Sequence, residues 1–236
     1  MKELTNTNLN DMNYFDILIN RLLDSQKLKG FTFKKGTSSF VQKFDGGWRK
    51  IELPHAHSIV QPSYSVRFDV AYDWYKKFCI LSAADQRHTI TVGASNKTLG
   101  HREFFFFGLA GNGNDDIELY HLEKSVLECA TVFFNKYKSI EDVYQYLIEP
   151  VIAGNDGLLK IHDGGGEDWF FQYLTICRIV APQNYEKYKE ILLDYEAKWT
   201  TGERTNPNFM FYHDRLDEIL SYMESLDFSK MMNKSK

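Results

Sequence analysis

His55 and His57 are the first side chains in the sequence whose type and spacing suit chemistry. Residues two apart on a strand point to one side, so two imidazoles placed this way can share a zinc or other divalent ion. A third ligand would have to come from His88, His101, Asp85 or Asp69. Completed, the set would serve a metal-dependent hydrolase; uncompleted, it is a polar strand end beside Pro54. The run from His162 to Asp168 is a second candidate, because a glycine-rich loop that opens a helix can cradle an anion. Here the carboxylates of Asp163, Glu167 and Asp168 repel phosphate, the lysine of a P-loop is missing, and the spacing fits no EF-hand. An acidic loop leading into a helix is the expectation. Nucleophiles are no better marked: there is no Gly-x-Ser-x-Gly elbow, and Cys79, Cys129 and Cys177 each sit in an apolar run that packing explains. No catalytic residue and no cofactor are assigned.

A third candidate is a face rather than a motif. From Ser63 to Trp74 the chain alternates, with Tyr64, Val66, Phe68, Val70, Tyr72 and Trp74 on one parity and Arg67, Asp69 and Asp73 on the other. Alternation of period two is a strand with one apolar and one polar face. The spacing predicts a central strand whose polar side is wet. Arg67, Asp69 and Asp73, with Trp48 from the preceding hairpin, are the expected binding residues.

The remaining chain supplies the elements that would position this face. Phe15, Leu18, Ile19, Leu22 and Leu23 recur at helical spacing after a cap at Asn10 or Asp11. Ser38 to Phe44 and Trp48 to Leu53 form a hairpin about Asp45-Gly46-Gly47, and Phe104 to Phe107 reads as a strand buried on both faces. Beyond a loop at Gly111 to Asp115 the period turns helical. Leu119, Leu122, Val126, Cys129 and Phe133 form one stripe, and Ser139 to Asp142 forms a capping arrangement for a helix that Pro150 ends. Further stripes are Tyr173, Leu174 and Cys177, then Tyr185, Tyr188, Tyr195 and Trp199, then a last helix capped by Asn206. The aromatic stripe from Tyr185 suits a core first and a protein contact second.

These patterns predict an α+β fold: an N-terminal helix, an antiparallel sheet of about five or six strands, and a helical C-terminal half packed on it. One domain over residues 1–226 is expected, with the sheet in 1–110, the helices in 116–226 and a flexible tail at 227–236. A net charge of -4 and a pI near 6.0 give no basic footprint for nucleic acid. No uncharged run reaches the length of a membrane span, and unpaired cysteines suit the cytosol.

The segment Leu28-Lys29-Gly30-Phe31-Thr32-Phe33-Lys34-Lys35, followed by Val60-Gln61-Pro62-Ser63 before the long strand, resembles uncharacterised bacterial domain families, some of whose members look like immunity proteins encoded beside secreted toxins. The resemblance covers the first third and implies no catalytic residue. The expected function is a non-enzymatic, cytosolic protein-binding module, an immunity protein whose partner is a toxin; the competing expectation is the hydrolase built on His55 and His57.

Overall fold

The computed structural model describes residues 7–45, 47–53, 55–56, 63–72, 91–107, 114–155, 169–200 and 216–227. The fold is α+β: an N-terminal helix, a five-stranded antiparallel sheet, then helices. Two compact units divide the chain, one of Met1–Val70 with Gly93–Lys136, the other of Ala71–Val92 with Tyr137–Lys236.

In the first unit, α1 (Thr7–Asp24) buries Leu18, Ile19 and Leu22, while Leu23, expected inside, is 48% exposed. The strands β1 (Thr32–Lys34), β2 (Ser39–Phe44) and β3 (Gly47–Glu52) follow. The hairpin register pairs Phe44 with Gly47, so Gly47, expected in the turn, opens β3 instead. With β6 (Arg67–Tyr72) and β7 (Val92–Ser95) these strands form a sheet in the order β1-β2-β3-β6-β7. A second sheet joins β4 (His55–Ala56), β5 (Ser63–Tyr64) and β8 (Phe105–Phe106).

The predicted strand from Ser63 to Trp74 is therefore two strands in two sheets, not one, and the five-stranded sheet is centred on β3. Asn96 explains the break. Its buried amide accepts from the Val66 N–H at 3.2 Å, and its own N–H donates to the Val66 carbonyl at 3.0 Å. Residue 66 is thus held by a side chain and loop backbone rather than by a ladder partner.

The apolar parity of β6 faces α2 (Asp115–Lys136): the Phe68 ring lies 6.1 Å from Phe133 and 6.3 Å from Phe134. Every predicted stripe residue of α2, from Leu119 to Phe133, is buried. Arg49 shares this face, its guanidinium 5.2 Å from the Phe44 ring centroid and 5.6 Å from that of Phe134. Cation–π stacking lets a charged residue occupy an otherwise apolar side. The four phenylalanines differ from expectation: Phe105 and Phe107 are buried, but Phe104 is 42% exposed, because a two-residue strand buries alternate side chains on one face only.

The second unit contains α3 (Ile140–Val143), a π-helical turn (Tyr144–Ile148), α4 (Glu149–Ile152), α5 (Trp169–Val180), α6 (Tyr185–Thr200) and α7 (Leu216–Ser225). Ser139 and Asp142 form the expected capping box. Pro150 does not end this helix. It sits in the first turn of α4, just after the π turn, where a missing N–H costs nothing. Tyr173, Leu174, Cys177, Tyr188 and Leu192 are fully buried, so Tyr188 of the aromatic stripe is core. Arg178 ties α7 down by donating to the carbonyls of Met223 and Glu224 near the end of that helix.

Candidate functional site

The hairpin register puts Trp48, Lys50 and Glu52 on one parity of β3, and β6 lies beside β3 in the sheet. Across those two strands the side chains meet in one ionic cluster. Arg67 Nε donates to Asp69 Oδ1 at 2.9 Å; Lys50 Nζ lies 3.4 Å from Asp69 Oδ2 and 3.1 Å from Glu52 Oε2. Lys50 Nζ is also 6.0 Å from the Trp48 ring centroid. Trp48, Lys50, Glu52 and Arg67 are all half-exposed, but Asp69 is 0% exposed. The polar parity of β6 is thus not uniformly wet, as the alternation predicted: its middle carboxylate is closed off, while its cation reaches solvent.

Burial raises the Asp69 pKa above its ordinary carboxylate value, and Glu52 adds to the rise. The Arg67 hydrogen bond and the charges of Arg67 and Lys50 oppose it without cancelling it. Desolvation therefore outweighs ion pairing, as expected for a buried charge whose partners remain partly in water. Oδ2 faces Lys50 as an ion pair, with no aligned hydrogen bond among the described residues. Such a carboxylate holds two cations in place and spends its charge on them.

Of the sequence-predicted binding residues, the structure brings together Trp48, Arg67 and Asp69; Asp73 lies outside the described residues. Lys50 and Glu52 complete the cluster and were missed, although their shared parity with Trp48 in the hairpin was a usable signal. His55 occupies β4, paired with Tyr64, but its side chain, like all of His57, His88 and Asp85, lies outside what is described. Asp69 is committed to Arg67 and Lys50. His101 lines a cleft of ≈ 360 Å³ with Arg102, Phe105, His121, Lys124, Ser125 and Glu128. Among the described residues no group of three or more His, Cys, Asp or Glu is placed to hold a metal ion. The run from His162 to Asp168 also lies outside the described residues. Cys129 and Cys177 are buried and unbridged, and burial pushes their thiols up to about 11 and about 12, so neither is activated as a thiolate. No helix among the described residues is long and apolar enough to cross a membrane.

No family model, no curated protein and no solved structure matches this chain.

Proposed function

We propose that this chain is a non-catalytic protein-binding module whose partner docks on the face carrying Trp48, Lys50 and Arg67. One observation carries the reading: two partly exposed cations, Arg67 and Lys50, the latter near Trp48, are held by a carboxylate that is itself fully buried. Tryptophan and arginine dominate interface hot spots, and side chains already held in one geometry lose less freedom on binding. The buried Asp69 offers a partner nothing directly; its part is to set the direction of Arg67 and Lys50.

The resemblance of residues 28–35 and 60–63 to uncharacterised bacterial families, some of whose members look like immunity proteins, supports a finer form of the proposal, a cytosolic protein that neutralises a toxin encoded beside it. Co-production tests both levels. The wild-type chain should rescue cells from the toxin of the neighbouring gene and bind it in isolation, while Trp48→Ala and Arg67→Ala should each weaken that binding by roughly thirtyfold, the equivalent of a hot-spot loss of about 2 kcal/mol. Undiminished binding by both variants would remove this face from the function. Binding of some other protein that both variants lose would keep the module and discard the toxin.

A further inference from the structure

The solvent face of α2 carries large apolar side chains. Ile117, Tyr120 and Val132 are 51%, 56% and 61% exposed on a helix whose opposite side is fully packed. At about 100° per residue, Ile117, His121, Lys124, Glu128 and Val132 fall on one side of the helix, directly across from buried Val126. The order along this ridge is apolar, imidazole, cation, anion, apolar. Two clefts flank it. One is the ≈ 360 Å³ cleft beside His121; the other, of ≈ 190 Å³, lies beside Tyr120 and Leu127. Lys124 and Glu128 line both clefts and form the crest between them.

We propose that this ridge is a homodimer interface in which α2 of one copy packs antiparallel on α2 of a second copy, about a two-fold axis at the level of Val126. Charge complementarity selects the occupant. In that arrangement Lys124 of each copy meets Glu128 of the other, so one sequence supplies both halves of a doubled ion pair, as an isologous interface requires. Within a single chain the same two groups are 3.9 Å apart and mostly in water, which leaves them available to outside partners. The two-fold brings His121 against Val132 of the second copy, and that valine fills the mouth of the larger cleft. It also sets the positive end of each helix dipole beside the negative end of the other, with Asp115 and Asp116 at one end and Lys136 at the other. A parallel pairing would instead stack Lys124 on Lys124. This interface is separate from the sheet face, so the two proposals stand or fall independently.

Sedimentation equilibrium of the full chain at low ionic strength tests it. A concentration-dependent dimer is expected that weakens as salt rises. Lys124→Glu and Glu128→Lys should each weaken the dimer by at least tenfold, because every cross-helix pair becomes a like-charge contact, and the double variant K124E/E128K should restore it. A chain that stays monomeric at all concentrations overturns the proposal, as does a dimer indifferent to the single variants or unrestored by the double one. Circular dichroism of the three variants separates loss of association from loss of fold.

Discussion

Asp69 in the first unit and Tyr188 in the second are both shut away from solvent, yet on different terms. Asp69 is buried beside two cations that reach water, so its burial organises a surface. Tyr188 is buried among neutral groups, its hydroxyl lacks a hydrogen-bond partner among the described residues, and burial drives its pKa well above the ordinary phenol value. Its burial organises nothing outside the core. A polar group sealed in a fold thus fixes surface side chains when its partners are exposed, and only packs when they are not.

Core size, rather than polarity, should set the largest stability losses in both units. Phe68→Ala and Leu174→Ala each remove a fully buried side chain and should cost about 3–5 kcal/mol and about 2–5 kcal/mol respectively in chemical denaturation. Asp69→Ala should cost less, about 2–3 kcal/mol, because the stranded Arg67 and Lys50 can turn back to water, but it should also abolish recognition by the sheet face. Asp69→Asn sharpens the point through pH. A carboxyl whose folded pKa is raised binds its proton more tightly when folded. Wild-type stability should therefore fall as pH climbs from the unfolded carboxylate value, about 3.9, to the folded value of Asp69, and D69N should lack that portion of the fall. Ser139→Ala, which deletes one side of the capping box, should cost about 1 kcal/mol. Tyr188→Phe should be smallest and of opposite sign, neutral or stabilising by up to about 1 kcal/mol, since it removes a hydroxyl with no hydrogen-bond partner among the described residues. A large loss in Y188F would mean the two residues are buried on the same terms after all.

Much of the architecture was legible because its signals are local. The α2 stripe, the Ser139 capping box and the pairing of the β2–β3 hairpin each lie within a few residues of the sequence that encodes them. What escaped depends on distant partners. Nothing near Val66 announces that Asn96, thirty positions on, captures its backbone and splits the long strand. Alternation marked Asp69 as polar and hence wet, but burial at that position depends on the sheet around it, with Lys50 contributed by another strand. Nothing in the sequence near Arg49 marks the rings of Phe44 and Phe134 that its guanidinium lies over. Pro150 reads as a helix end unless the preceding π turn is known. Trp48, Arg67 and Asp69 of the ionic cluster were thus named from sequence, while the burial of Asp69 and the part of Lys50 were not.

The claim beneath the functional proposal is that a buried, charge-strained carboxylate presets Arg67 and Lys50. Carboxyl carbon NMR tests it most directly, following the Asp69 resonance with pH and assigning it by its absence in D69N. A midpoint above about 3.9 is the predicted result; a midpoint at or below that value would mean that the pairing with Arg67 and Lys50 outweighs desolvation, contradicting a carboxylate strained by its burial.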